Sequence, residues 1–309
     1  MRLSNCNTIK HTSPFFMLFK CSFKRNRCYR SNVASPCSTE LLIQKYLQIP
    51  FLKTLLIALV ITTSLVSSKI ILADEIRVAV ASNFTHAIKK LSTNFEKQTG
   101  HKITLVFGAT GRHYAQIKNG APFDAFLAAD SKRPKLLEQK GLIITGSRFT
   151  YALGKLVLWS PKSRFVDSQA QVLETDNFYH IALANPKLAP YGKAAQEVLK
   201  SRQLWKRLKP KTVRGENIAQ TFQFVQSGNA ELGFVAFSQV KRLDHKQQGS
   251  LWFIPQSLYT PIKQQAVLLN KNPVAKSFLD YLKAVEPQNI IKSLGYEIAQ
   301  RDKENVGNF

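Results

Sequence analysis

The chain has 309 residues and a formal net charge of +25, from 44 Lys and Arg and 19 Asp and Glu residues. This length is enough for one large domain or two modest ones, each with a core of its own. A basic chain attracts nucleic acid as well as small anions, but the basic residues here are scattered between apolar positions rather than gathered in one stripe. The composition therefore favours a solvated basic surface over a nucleic-acid groove.

Residues 1–73 differ from the rest of the chain. They contain all four cysteines, ten of the 44 basic residues and one of the 19 acidic residues, so that residues 74–309 carry about +16. Lys45 and Lys53 precede an apolar run at residues 55–66, which is shorter than the roughly 20 residues that a membrane-spanning helix needs. A basic region before a short apolar core is typical of a secretory signal peptide. We predict an N-terminal extension and signal peptide over residues 1–73, cleaved near Ala73, rather than a retained membrane anchor.

From residue 75 onward, apolar runs alternate with helical patterns. Residues 76–81 predict a strand, and Ser82 and Asn83 then occupy helix-capping positions before a helix that ends at Gly100. The next segment predicts a strand at 103–107, a turn of small residues, a helix to about residue 119 and a strand at 125–129. This is a βαβ unit.

The same alternation continues to the end of the chain. Further helices are predicted at 132–140, after 189–192, from Asn217 to Gly228, at 274–285 and up to Gly295. Apolar runs at 151–159 (broken by Gly154), 180–184, 232–236 and 264–269 predict strands. Strands that alternate with helices indicate α/β layers with largely parallel sheets, in which ligands bind where strands end and helices begin.

Four strand-to-helix junctions carry small or hydroxyl-bearing residues: Ser82 with Asn83, Thr110 with Gly111, Tyr191 with Gly192, and Asn217 with Ile218. The first N–H groups of a helix lack partners within the helix and form a natural site for an anion. One such junction is usually an ordinary helix cap. Four of them in one α/β chain predict a cradle for an oxyanion.

Catalytic and metal-binding patterns are missing from the sequence. There is no GxSxG, HExxH or GxGxxG motif and no complete phosphate-binding loop, and the histidines are isolated from carboxylates at metal-ligand spacing. We interpret Asp124 and Asp130 as residues that hold loops. We therefore expect a protein that is not an enzyme, with no cofactor and no cation site; a hydrolase of small anionic esters is disfavoured because a nucleophile and base pair is lacking.

Residues 107–130, FGATGRHYAQIKNGAPFDAFLAAD, resemble the second ligand loop of periplasmic molybdate-binding proteins, the receptors of ATP-driven oxyanion importers. The similarity extends to residues 76–84 and 146–159 and covers about residues 74–300. It implies the type II periplasmic binding-protein fold, with two α/β lobes and a ligand cleft between them. Lobe 1 would comprise residues 74–155 and 262–309, and lobe 2 residues 156–261, with crossings near 153–160 and 258–266.

The resemblance also implies a ligand set. Ser82 and Thr110 match the two hydroxyl ligands of the first lobe, and Asn83 matches a ligand in one branch of the family. Tyr191 and Ile218 match two positions of the second lobe that donate through backbone N–H groups. Gly111 and Arg112 are further candidates, with Arg112 either steering the anion or simply solvated. Where many members have a tyrosine after the strand ending in Gly-Phe-Val, this chain has Ala236 followed by Phe237, so one hydroxyl contact is absent or replaced.

The resemblance implies capture of molybdate or tungstate and delivery to the membrane permease of an ABC transporter. We expect a periplasmic monomer that does not bind nucleic acid. The alternative is a bilobal effector or nucleic-acid-associated regulatory protein that senses a small anion. The apolar core at residues 55–66 disfavours it, as does the absence of a helix-turn-helix pattern before residue 74.

Overall fold

The computed structural model describes residues 74–299. The predicted N-terminal extension, signal peptide and cleavage near Ala73 lie outside the described residues, as do residues 300–309. The strands are, in chain order, β1 (Glu75–Ala81), β2 (Lys102–Gly108), β3 (Ala125–Ala128), β4 (Phe149–Gly154), β5 (Leu156–Ser160), β6 (Ile181–Ala184), β7 (Thr212–Gly215), β8 (Leu232–Ala236), β9 (Ser250–Phe253) and β10 (Ile262–Leu268).

Nine α-helices lie within the described residues: α1 (Thr85–Thr99), α2 (Thr110–Lys118), α3 (Lys132–Gln139), α4 (Pro190–Ser201), α5 (Trp205–Leu208), α6 (Ile218–Gln226), α7 (Phe237–Val240), α8 (Pro273–Tyr281) and α9 (Val285–Ser293). Short 3-10 turns occur at Ser82–Phe84, Gln171–Glu174, Lys209–Lys211, His245–Gln247 and Gln256–Leu258. Among residues 74–299, no helix is both long enough and apolar enough to cross a membrane.

The strands form two five-stranded sheets, in the orders β2-β1-β3-β10-β4 and β7-β6-β8-β5-β9. In the first sheet β1 is parallel to β2 and β3, whereas β10 is antiparallel to both of its neighbours. In the second sheet β6 is parallel to β7 and β8, whereas β5 is antiparallel to β8 and β9. The sheets are therefore more mixed than predicted.

The reversed strands follow from the way the chain changes sheets. The predicted apolar run at 151–159 is two strands in different sheets, and only Lys155 separates β4 from β5. Because β4 ends at the edge of the first sheet where β1, β2 and β3 also end, the chain enters the second sheet from the side that faces the first. It therefore runs against β8. The chain returns from β9 to β10 in the same way, between residues 253 and 262.

Each sheet is packed against helices that cover its apolar side chains. β1 is buried on both faces from Val78 to Ala81, as expected for an inner strand of a parallel layer. The buried residues of α1 recur at helical spacing, and Phe95 contacts Phe278 of α8 with ring centres 5.2 Å apart. The ring of Trp159 on β5 stacks on Phe222 of α6 at 5.0 Å. The two cores hold the strand ends, and with them the helix starts, in fixed positions.

Three local predictions need correction. Ser82 and Asn83 do not cap α1, because a 3-10 turn formed by Ser82, Asn83 and Phe84 precedes the helix and places Phe84 at its N-cap, where no side chain makes a cap bond. The helix predicted at 274–285 ends at Tyr281, since Ala284 is extended and acts as the N-cap of a separate helix that begins at Val285. The short elements β9, α5 and α7 were not predicted, because four residues give too little periodicity to detect.

Candidate oxyanion site

The carboxyl ends of the parallel strands of both sheets meet at one small cavity of about 10 Å³, which we call the anion cavity. Residues from four strand-to-helix junctions line it, and they include all five positions that the resemblance implies. Each of the five is at most 7% exposed. These residues are Ser82, Asn83, Thr110, Tyr191 and Ile218.

On the side of the first sheet, hydroxyl groups are arranged as donors. The Thr110 hydroxyl accepts a hydrogen bond from the Ala129 N–H at 3.1 Å, so its own proton remains available for donation. Among the described residues the Ser82 hydroxyl has no hydrogen-bond partner, and only its carbonyl is engaged, by the Thr85 hydroxyl at 2.9 Å. The Asn83 amide nitrogen donates to Gln264 Oε1 at 2.8 Å, so this side chain is held by the first lobe while Asn83 lines the cavity.

On the side of the second sheet, the candidate donors are backbone N–H groups at two helix starts. Asn217 is the N-cap of α6, and its side-chain oxygen accepts from the N–H groups of Ala219 and Gln220, both at 3.0 Å. This cap satisfies the later donors of the first turn and leaves the Ile218 N–H at the cavity wall. The start of α4 has no side-chain cap, and because Pro190 lacks an N–H, the Tyr191 N–H is the first donor of that helix.

The electrostatics of the cavity favour an anion over a cation. Among residues 74–299, no charged residue lines it. The 3-10 turn at Ser82 and the helices α1, α2, α4 and α6 all lack acidic residues in their first turns. The partial positive charge of each helix start is therefore not neutralised. Within residues 74–299, no group of three His, Cys, Asp or Glu residues could hold a metal ion.

A buried polar network supports the cavity on the side of β4 and β10, the strands at which the chain crosses between the sheets. We call this region the hinge. Gln264, on β10, accepts hydrogen bonds through Oε1 from Asn83 and from the Tyr151 hydroxyl, and its Nε2 donates to the Tyr191 hydroxyl at 3.4 Å. Burial raises the pKa of Tyr151 and Tyr191 well above its ordinary value, and raises the pKa of Tyr296 to about 12. All three hydroxyls therefore stay neutral at physiological pH and place no negative charge near the anion cavity. Sequence reasoning missed Gln264; two adjacent amides, Gln264 and Gln265, directly before an apolar run were the available signal.

The crossing between the lobes is closely packed. A Cβ at Gly154, the last residue of β4, would overlap the Tyr191 hydroxyl, and a Cβ at Gly192 would overlap the Ala184 carbonyl. Glycine at these two positions lets the start of α4 approach both the hinge and its own sheet. The position of the Tyr191 N–H thus depends on two glycines outside the ligand set.

Gly111 and Arg112 do not line the cavity. The Gly111 N–H donates to the Leu188 carbonyl at 2.8 Å, a contact between the two lobes, and Arg112 is exposed. A second contact between the lobes was not predicted. Arg133 Nη2 donates to the Lys187 carbonyl at 2.7 Å while Nη1 pairs with Asp130.

The expected structural role of two aspartates is confirmed. Asp124 accepts the Arg77 N–H at 2.7 Å, and Asp130 accepts the Arg133 N–H at 3.0 Å. Both carboxylates therefore hold loops at the ends of strands.

The position where relatives have a tyrosine offers no hydroxyl here. Ala236 is buried, and its N–H donates to Gln239 Oε1 at 3.0 Å. Gln239 Nε2 donates in turn to the Ile218 carbonyl at 3.2 Å. Phe237 packs on Phe253, with ring centres 4.9 Å apart. Gln239 thus anchors the start of α6 to the end of β8, and neither Ala236 nor Phe237 lines the anion cavity.

The chain crosses twice between two mixed sheets, and a cavity lies between the carboxyl ends of their parallel strands. This architecture defines a two-lobed solute-binding protein. Comparison with known families agrees: residues 76–297 match the family described as bacterial extracellular solute-binding protein, and the chain belongs to this family.

Among individual proteins, the chain is 52% identical to the molybdate-binding protein ModA of Azotobacter vinelandii over 227 residues. These residues make up 72% of this chain and 90% of the relative. It is 48% identical to ModA of Rhodobacter capsulatus, over 72% of this chain and 88% of the relative. The solved Azotobacter vinelandii periplasmic molybdate-binding protein superimposes with a TM-score of 0.70 at 41% identity, over 73% of this chain and all of that one. These findings confirm the resemblance and the fold that it implied.

Proposed function

We propose that the protein captures molybdate or tungstate between its two lobes and delivers it to the membrane permease of an ABC transporter. The observation that carries the proposal is the convergence of five predicted ligand residues from both lobes on one uncharged cavity. The 52% identity to a molybdate-binding protein supports the choice of anion.

In this proposal Ser82 and Thr110 donate through their hydroxyls, and Asn83, Tyr191 and Ile218 donate through backbone N–H groups. The donor character of the cavity supports selection against phosphate. A fully deprotonated tetrahedral dianion presents only acceptors, whereas hydrogen phosphate brings a proton that needs an acceptor and would leave a buried group unpaired at a cost of about 1–3 kcal/mol. Sulfate passes this test and must be discriminated by the size of the ring of donors.

We further propose that lobe 1 comprises residues 74–155 and 262–309 and lobe 2 residues 156–261. The strand content supports this division, because β1 to β4 and β10 form one sheet and β5 to β9 the other. The protein acts as a periplasmic monomer without enzymatic activity or affinity for nucleic acid, after export by a signal peptide cleaved near Ala73. Nothing in the similarities supports the alternative of a regulatory effector.

Calorimetric titration of the purified protein with molybdate, tungstate, sulfate and phosphate tests the ligand. We expect tight binding of the first two and weak or no binding of phosphate; equal affinity for all four would contradict the proposal. N-terminal sequencing of protein recovered from the periplasm tests export. A mature chain that begins near Asp74 is expected, and an intact N-terminus with titratable thiols would contradict it.

A further inference from the structure

A larger cavity of about 290 Å³ adjoins the anion cavity, and Ser82 and Asn83 line both. Its walls come from α1 of the first lobe and from α6 and α7 of the second. We call it the vestibule. Because Ser82 and Asn83 form a shared wall, the vestibule lies directly beside the site.

The charged residues that line the vestibule are all of one sign, positive. Lys89 and Arg242 line it together with His86, and no Asp or Glu of the part of the chain that the structure describes does so. Among the described residues neither Lys89 nor Arg242 forms a salt bridge. Their contacts are aromatic instead. The Lys89 ammonium lies 5.7 Å from the ring centre of Phe107, and the Arg242 guanidinium lies 5.3 Å from that of Phe222. Such contacts orient a cation without neutralising it.

Another flank of the anion cavity is also basic, but it differs from the vestibule in one respect. A cavity that shares Ala129 and Pro190 with it also contains basic residues, but carboxylates accompany them. Arg133 pairs with Asp130, and Lys193 lies 3.5 Å from Glu197. Arg133 also makes its hydrogen bond to the other lobe on this flank. We call it the latched flank, because Arg133 pairs with Asp130 there and also bonds to the other lobe. Lys132 and Lys187 line the same flank and form no salt bridge among the described residues. The bond between the lobes at the vestibule, from Ser238 to Tyr296, joins two neutral groups.

We infer that the oxyanion enters through the vestibule and that Lys89 and Arg242 steer it towards Ser82 and Asn83. The inference rests on the proposed function. Uncompensated charges of one sign in a cleft with low-dielectric walls focus the field and raise the association rate of an oppositely charged ligand. The anion cavity itself has no charged lining residue, so these two side chains act on the approaching anion rather than on the bound one.

The test measures molybdate association by stopped-flow tryptophan fluorescence at several ionic strengths. Lys89→Gln and Arg242→Gln remove one vestibule charge each. Lys90→Gln and Lys241→Gln are matched controls, because each removes the same charge from the adjacent residue, outside the vestibule lining. We expect the vestibule double variant to slow association roughly tenfold at low salt, with a weaker salt dependence and a dissociation rate within about twofold of the parent. The control double variant should associate within about twofold of the parent.

Equal slowing in the vestibule and control variants would overturn the inference, because the effect would then follow from net charge alone. An unchanged association rate in the vestibule double variant would overturn it as well. A thermal melt of each unliganded variant checks that these exposed substitutions leave the fold intact. A parent protein that binds neither molybdate nor tungstate refutes the proposed function and the inference together, whereas normal affinity with the wrong rate pattern refutes the inference alone.

Discussion

At the scale of single residues, the two hydroxyls of the anion cavity are not equivalent. The Thr110 hydroxyl also accepts the buried Ala129 N–H, whereas the Ser82 hydroxyl has no partner among the described residues. Thr110 therefore supports the junction between β3 and its neighbours as well as the site. Ser82 is the cleaner probe of anion binding.

We predict that Ser82→Ala and Thr110→Ala each weaken molybdate binding about tenfold to a hundredfold, because a hydrogen bond to a charged group contributes roughly 1.5–3 kcal/mol. Thr110→Ala should also destabilise the unliganded protein by about 1–3 kcal/mol, since the Ala129 N–H loses its partner in the interior. Ser82→Ala should leave that stability nearly unchanged. Calorimetric titration and denaturant unfolding measure the two effects.

Thr110→Ser is the matched control for the threonine, because it keeps the hydroxyl and removes only a methyl group. It should retain most of the affinity and most of the stability. Parent-like molybdate binding by both alanine variants would show that the site is assigned to the wrong residues.

At the scale of single elements, α6 shows how a cap can prepare a binding site. Asn217 satisfies two N–H groups of the first turn, and Gln239 holds the Ile218 carbonyl. The first residue of the helix, Ile218, is thereby fixed at the cavity wall, and its N–H has no acceptor within the helix. Helix α8 has the same kind of cap, with Asn272 accepting from Val274 and Ala275 at 2.9 and 3.2 Å, but it does not reach the anion cavity.

This pair of caps provides an internal control. Asn217→Ala and Asn272→Ala should each cost about 1 kcal/mol of stability and lower Tm by roughly 2–4 °C. Only Asn217→Ala should also weaken molybdate binding several-fold, because α6 presents a donor to the anion and α8 does not. Calorimetric titration separates the two variants. An equal loss of affinity in both would mean that the cap acts through global stability and not through the site.

At the scale of the whole molecule, the cleft is closed by contacts between the lobes. The Gly111 N–H binds the Leu188 carbonyl, Arg133 binds the adjacent Lys187 carbonyl, and the Ser238 hydroxyl donates to the Tyr296 hydroxyl at 3.0 Å. Since these bonds join groups of different lobes, they form only when the lobes come together. Bound ligand and closed lobes should therefore stabilise each other.

Ligand binding should raise stability by mass action, by about 4 kcal/mol at 1,000 times the dissociation constant. Thermal unfolding with and without molybdate measures this gain, and small-angle scattering should show a smaller radius of gyration in the bound protein. The same amount of phosphate should do neither. Identical melting temperature and radius at saturating molybdate and tungstate would argue decisively against a receptor that closes on its ligand.

The contact made by Arg133 should govern how long the cleft stays closed. Arg133→Ala removes a charged hydrogen bond between the lobes and should accelerate molybdate dissociation about tenfold or more, with little change in the association rate. Lys132→Ala is a suitable control, since it removes a neighbouring charge from the latched flank without a hydrogen bond to the other lobe. Stopped-flow displacement with excess tungstate measures the rates. Equal dissociation from both variants would remove Arg133 from the closing mechanism.

The sequence by itself determined the alternation of strands and helices and the four junctions that line the anion cavity. Both are local: burial periodicity spans a few residues, and a helix start exposes its N–H groups wherever it lies. Only the tertiary structure decided that β10 and β5 run against their neighbours, that Gln264 joins Asn83 to Tyr191, and that the Gly111 N–H bonds to Leu188. It also decided which cations are compensated, leaving Lys89 and Arg242 without carboxylates while Arg133 meets Asp130 and the other lobe. Most of these contacts join residues far apart in the chain, and no local pattern encodes the crossing of the lobes that brings them together.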